Sequence, residues 1–365
     1  MKNIAVFFGG QSVEHDISVI TGVMTINCID KDKFAVLPIY VSKDGEWKTG
    51  ESLFDIDEFK NIDQNKLKRV VILNGDNTLY QVKGKKLKQI EKIYCAINCL
   101  HGRNGEDGAL AGALSMSNIP LASPNMLSSS VSMDKSFTKL VLKALGINAL
   151  KSVTVTCKSQ VDSVLEQLDF PLLVKPNFLG SSIGITKADN KEALIDGIHN
   201  ALRYGESAII EPFLSNLTEI NCAVYRDEKG ILNVSECEKP ISRADILSFK
   251  DKYQDGKREF PANIEPKYSN KIKATAKKIY EGIGFDGVIR IDFFISDKKV
   301  YVNEINSVPG SLSYYLFGDT KKSFSNMLNR LIMSAERKYL RNLTFVKDYN
   351  SGILTSFGSK GAKHL

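Results

Sequence analysis

At 365 residues the chain is too long for one ordinary hydrophobic core, and its length predicts two or three domains. A content of 43% hydrophobic and 25% charged residues is that of a soluble globular protein. The net charge of +7 is concentrated in Lys83, Lys85, Lys86 and Lys88 and in Arg337, Lys338, Arg341, Lys347, Lys360 and Lys363, with no aromatic-interleaved stripe or zinc-finger spacing, which argues against a nucleic-acid partner. The first apolar run, Ile4 to Phe8, is broken by Gly9-Gly10, too soon for a signal peptide or a membrane span. Six scattered cysteines without a CxxC pair read as reduced thiols, so a cytoplasmic protein with no membrane partner is expected.

In chain order, Asn3 to Phe8 reads as a strand and Gly9 to Ser12 as a turn, and Ile17, Ile20, Met24 and Ile26 trace a helical apolar face. Strands are expected at Ala35 to Val41 and Lys92 to Leu100. Residues 44–90 between them look like elaboration, with a hairpin pairing Val70 to Leu73 with Thr78 to Val82. A helix from Asp134 to Leu145 ends at Gly146. Then follow a strand at Val153 to Thr156, a helix at Val161 to Leu168, a strand at Pro171 to Lys175, a helix at Lys191 to Tyr204 and a strand at Ser207 to Glu211. Long strands return from Glu219. Residues 239–265 read as a polar loop, Lys271 to Gly282 as a helix, and Gly358 to Leu365 as a mobile tail.

The most informative stretch is RIDFFISDKKVYVNEINSVPG, from Arg290 to Gly310. Side chains alternate along a strand, so Arg290 and Asp292 share one face, as do Glu304 and Asn306 across the turn at Asp297 to Lys299. Two carboxylates and an amide oxygen make a hard site of the kind Mg²⁺ uses. On spacing alone, a hairpin with one wet face fits equally well. The second feature is Gly180-Ser181-Ser182-Ile183-Gly184, where glycines and hydroxyls would let backbone amides grip a phosphate, with Lys175 just ahead and Lys139 on the preceding helix. Taken alone, such a turn is more often structural. Glu14, after the first strand, reads either as a complement to a helix dipole or as the holder of a substrate ammonium. His101 opens a glycine-dense loop after another strand.

FGGQSVEHDIS, HGRNGEDG, MDKSFTK, VKPNFLGSSIG, EPFL, GVIRIDFF and VNEINSVPGSLS occur in the order and spacing of ATP-grasp enzymes, and from residue 1 to about 345 the chain resembles the D-alanine–D-alanine ligase family. The resemblance implies an α/β chain with α+β elements: an ATP-grasp fold behind an N-terminal Rossmann-like preATP-grasp domain. Its parts would be residues 1–130, a central small domain at 131–217, a C-terminal domain at 218–345 carrying a lid at 239–265, and a basic tail at 346–365. It implies ATP as co-substrate, D-alanine as substrate, a homodimer, and two Mg²⁺ ions, replaceable by Mn²⁺, on Asp292, Glu304 and Asn306. Lys139, Lys175 and Ser182 would hold phosphates, Glu211 with the backbone around Phe213 and Leu214 the adenine, and Glu219 the ribose. Glu14 and His101 would meet the first amino acid, Arg290 and the Gly310 amide the oxyanion, and Ser311 and Leu312 the substrate. Lys252 and Tyr253 would close the lid, with Tyr253 bonding toward Ser181 and Glu14.

The lid reads LSFKDKYQDG without the family's common Tyr-Asp-Tyr pattern, and Asn221 and Ser313-Tyr314-Tyr315 depart from common forms. The acceptor therefore stays open among D-alanine, D-lactate and D-serine. A nicotinamide dehydrogenase is disfavoured by the missing GxGxxG, and a nucleotide sensor with a decayed site by the retained quartet Arg290, Asp292, Glu304 and Asn306.

Overall fold

The computed structural model describes residues 1–241, 257–353 and 355. Lys252, Tyr253 and the tail from Gly358 lie outside the described residues.

The chain opens with β1 (Lys2–Gly9), α1 (His15–Cys28), β2 (Phe34–Val41) and β3 (Trp47–Thr49), followed by β4 (Lys68–Ile72), β5 (Thr78–Lys83), β6 (Lys86–Lys92) and β7 (Cys95–Asn98). These strands form one seven-stranded sheet in the order β6-β5-β4-β3-β2-β1-β7. β1 runs parallel to β2 and β7 and is buried on both faces, which explains its unbroken apolar run. The segment read as elaboration supplies β3 to β6, an antiparallel extension of that sheet. The strand expected at Lys92 to Leu100 is two strands, parted at Ile93-Tyr94.

Next come α2 (Ala109–Met116), α3 (Met126–Met133) and α4 (Lys135–Ala144). Asp134 caps α4 by accepting from the Phe137 N–H. The middle of the chain holds β8 (Val153–Val155), α5 (Val161–Leu165), β9 (Leu172–Pro176), β10 (Thr186–Ala188), α6 (Lys191–Ala201) and β11 (Ala208–Pro212), with sheet order β10-β9-β11-β8 under α5 and α6.

The last part contains β12 (Thr218–Arg226), β13 (Leu232–Val234), the short pair β14 (Lys239–Pro240) and β15 (Arg258–Glu259), α7 (Pro266–Ile283), β16 (Val288–Ser296), β17 (Lys299–Asn306) and α8 (Lys321–Leu343). The sheet order is β13-β12-β16-β17. Ile220, Cys222, Ile289, Ile291 and Phe293 face α7, which leaves Glu219, Asn221, Arg290, Asp292 and Phe294 on the opposite face. α7 begins five residues before the expected start, because Pro266 suits a first helical turn.

α8 was not anticipated, although Phe324, Met327, Leu328, Leu331, Ile332 and Ala335 recur at helical spacing and all are buried. It packs on α1, in one core with Ile4, Val6 and Phe8 of β1 and with Val288, Val308 and Leu312 from the C-terminal part. The first and last parts of the chain thus share a core, and this fixes the loop after β17 against α1.

Candidate active site

A cavity of about 440 Å³ lies where the three parts meet. Of the residues singled out in the sequence, Lys175, Ser182, Glu219, Arg290, Asp292, Glu304, Gly310 and Ser311 line it.

Its floor is the β16–β17 ladder. Arg290 stands opposite Asn306 and Asp292 opposite Glu304. A bulge follows, so that Asn303 is left over and lines the cavity beside Glu304. Arg290 donates through Nε and Nη2 to the two oxygens of Asp292, at 2.7 and 3.0 Å. Asn306 Nδ2 reaches Asp292 Oδ2 at 3.1 Å. Glu304 faces Lys135 Nζ at 3.7 Å, and that lysine also donates to the Leu179 carbonyl at 2.6 Å. Among the described residues there is no group of three His, Cys, Asp or Glu side chains able to hold a metal. A cation here would therefore rest on Asp292, Glu304 and the Asn306 amide oxygen. Such a sparse all-oxygen set, completed by water and phosphate oxygens, fits Mg²⁺.

Beside the floor, Glu211 is clamped by Lys139 and by Lys175, the latter at 2.6 Å. Lys175 also reaches Asn303 at 3.3 Å, and Lys139 donates to the Leu150 carbonyl at 2.7 Å. Burial works against the Glu211 carboxylate, but the two ammonium groups overcome it and hold its pKa down at about 2. Burial lowers the Lys139 pKa, and Glu211 opposes that shift. Glu211, Phe213 and Leu214 are not among the cavity-lining residues, and the Phe213 N–H is taken by the Pro171 carbonyl at 2.9 Å.

The glycine turn links the central part to the first. Ser181 and Ser182 both adopt the left-handed backbone, at φ 56° and 58°, and the Ser181 hydroxyl donates to the buried Glu14. Gly102, at φ 67°, leaves room beside Glu14; a Cβ there would lie 2.5 Å from Ser12 Oγ and 3.1 Å from Glu14 Oε2. Glu106 accepts from the Gly102 and Val308 amides at 2.9 and 3.1 Å, and burial together with Glu14 pushes its pKa up to about 8. His101 is buried 3.2 Å from Thr21 Oγ1, and burial and Arg290 lower its pKa to about 4, so its ring is neutral near pH 7. Thr21 in turn accepts the Ser311 N–H at 3.0 Å. Ser311, Leu312 and Ser313 are three consecutive left-handed residues, with φ between 50° and 53°. The Leu312 side chain sits in the shared core rather than in the cavity lining.

Several lining residues escaped the sequence reading: Lys135, Asn303, Glu238 and Arg258. Lys135 was masked by Lys139 one turn further along the same helix.

A metal-compatible ladder sharing a cavity with a serine-glycine turn and a buried lysine, behind an N-terminal mixed sheet, is the arrangement of an ATP-grasp ligase. The descriptions "D-ala D-ala ligase N-terminus" and "D-ala D-ala ligase C-terminus" match residues 3–124 and 141–333. A D-alanine–D-alanine ligase of Thermosipho melanesiensis is 38% identical over 348 residues, which is 92% of this chain and 94% of that one. One from Helicobacter pylori is 33% identical, over 89% of this chain and 93% of its own. Among solved structures, the crystal structure of the D-alanine–D-alanine ligase from Helicobacter pylori superposes with TM-score 0.77 at 30% identity, covering 92% of this chain and 98% of that one. The VanG D-Ala:D-Ser ligase of Enterococcus faecalis gives TM-score 0.77 at 28% identity, over 92% and 99%. The chain belongs to the D-alanine–D-alanine ligase family.

Proposed function

We propose that the protein joins two molecules of D-alanine to D-alanyl-D-alanine with cleavage of ATP to ADP and phosphate, a reaction that supplies a peptidoglycan precursor. The observation that carries this reading is the cross-strand alignment of Arg290 with Asn306 and of Asp292 with Glu304, with Arg290, Asp292 and Glu304 lining the cavity together with Lys175 and Ser182.

A free carboxylate has no acceptable leaving group. Its oxygen attacks the γ-phosphorus of ATP, ADP leaves, and an acyl phosphate forms. The amine of the second amino acid then attacks the acyl carbon, loses a proton, and expels phosphate through a tetrahedral intermediate. Asp292, Glu304 and Asn306 are the residues to hold Mg²⁺, which when bound neutralises the β- and γ-phosphates. Lys135, Lys175 and the Ser181-Ser182 turn bind phosphate oxygens, while Glu211 orients Lys139 and Lys175. Glu219 is the ribose contact, and the chain around Phe213 and Leu214 is the candidate for the adenine edge. Glu14 takes the ammonium of the first amino acid, next to neutral His101. Arg290 and the Gly310 amide stabilise the oxyanion, where preorganised donors act most strongly. Tyr253 and Lys252, in the segment read as a lid, are proposed to exclude water from the acyl phosphate. No described helix is long and apolar enough to cross a membrane.

With ATP, Mg²⁺ and D-alanine, mass spectrometry is expected to find the dipeptide, in excess over any depsipeptide or D-alanyl-D-serine when D-lactate or D-serine competes. Folded, ATP-binding protein that makes no dipeptide at any D-alanine concentration would overturn the reading.

A further inference from the structure

An acceptor amino acid brings a carboxylate into a cavity lined by Lys135, Lys175, Lys257, Arg258 and Arg290, and three of these cations are already engaged. Arg290 spends Nε and Nη2 on Asp292. Lys175 is held by Glu211 and Asn303, and Lys135 by the Leu179 carbonyl and Glu304. Arg258, on β15 opposite Pro240, lines the same cavity. Among the described residues its polar contact is a single one, from Nη1 to Glu238 Oε1 at 3.3 Å, and about a third of its side chain is exposed. Glu238 itself is buried, and its other oxygen accepts from Asn221 Nδ2 at 3.0 Å. One face of the Arg258 guanidinium lies 4.5 Å from the centroid of the Tyr315 ring, and the Arg290 charge also acts on the Tyr315 phenol. Arg258 and Arg290 thus both act on one tyrosine, and all three line the cavity.

Resting on the ligase reading above, we propose that Arg258 binds the carboxylate of the acceptor amino acid, with Glu238 and Tyr315 holding the guanidinium in position. The carboxylate carbon of an α-amino acid is two bonds from its amine. An amine poised to attack an acyl carbon at Arg290 and Gly310 therefore carries its carboxylate only a short way along the same lining, which Tyr315 and Arg258 share. A guanidinium fork with Nε and Nη2 to spare matches both oxygens of that group, as a lysine would not. This assigns a counter-ion to the acceptor where Ser313-Tyr314-Tyr315 departs from common family forms, and it makes a free α-carboxylate a requirement of the second subsite.

The test compares wild type with Arg258→Gln and Arg258→Lys, using D-alanine and D-alaninamide as acceptors and hydroxylamine as a trap for the acyl phosphate of the first D-alanine. Arg258→Gln is expected to raise the KM for acceptor D-alanine roughly ten- to hundredfold, the loss anticipated for a charge-assisted pair. It should also erase the preference for D-alanine over D-alaninamide, while the hydroxamate forms within about twofold of the wild-type rate. Arg258→Lys should fall between the two. An acceptor KM or an amide discrimination unchanged in Arg258→Gln would overturn the assignment. So would an equal fall of both acceptors and of hydroxamate, which is what a merely structural arginine predicts. If wild type itself forms no hydroxamate from ATP and D-alanine, the ligase reading fails, and this assignment with it.

Discussion

The two ends of the cavity are built on opposite plans. At the end proposed for phosphate, three carboxylates are answered within the protein: Glu211 by two lysines, Asp292 by a two-pronged arginine, Glu304 by Lys135. At the acceptor end Arg258 makes one long contact and is partly open to solvent. Burial explains the contrast, because a buried charge without a partner costs several kcal/mol whereas a half-exposed one is tolerated. The phosphate end is therefore held rigid before ligand arrives and must exchange partners when a polyanion enters. The end proposed for the acceptor keeps donors of Arg258 free among the described residues, and Ser313-Tyr314-Tyr315, which departs from common family forms, lies there.

The sharpest way to break this comparison is to remove the anion that two buried lysines share. Glu211→Gln is expected to destabilise the fold by about 3–5 kcal/mol in urea unfolding at pH 7. The pH dependence follows from the sign of the shift. The carboxylate is held at about 2 against an ordinary 4.5, so its stabilisation is complete above 4.5 and is lost as pH falls from 4.5 toward 2. Wild-type and variant stabilities should converge over that window, and a gap that stays constant would show that Glu211 is not the anion between the lysines.

A smaller energetic effect, confined to chemistry, is expected at the floor. Glu304→Gln keeps volume but removes a negative oxygen from the candidate metal site, and turnover should fall on the order of 10²-fold or more with the unfolding midpoint little changed. Retention of more than about a tenth of the activity at saturating Mg²⁺ would remove Glu304 from that role.

The parts legible in the sequence were those governed by local periodicity. Alternation alone assigned Arg290 and Asp292 to one face and Glu304 and Asn306 to the facing strand, and the register bears this out. Asn303 was not legible, because a bulge adds a residue without changing the alternation on either side. α8 was legible and went unread: its apolar residues keep helical spacing, but many of their partners come from distant parts of the chain, among them α1, β7 and β12. Glu211 reads in sequence only as a carboxylate near the end of a strand. Its partners come from the pairing of β11 with β9, which sets Ile209 against Lys175, and from the docking of α4, both tertiary facts. Arg258 and Tyr315 become neighbours in the same way, through folding and not through spacing.

The central claim is that one cavity activates a carboxylate with ATP and passes it to an amine. Supplying D-alanine with both carboxylate oxygens as ¹⁸O and analysing the released phosphate tests it directly, because the bridging oxygen of an acyl phosphate leaves with phosphorus when the amine displaces it. The account predicts one ¹⁸O in each phosphate released, matched by one dipeptide formed; phosphate without label, released with or without dipeptide, would contradict it.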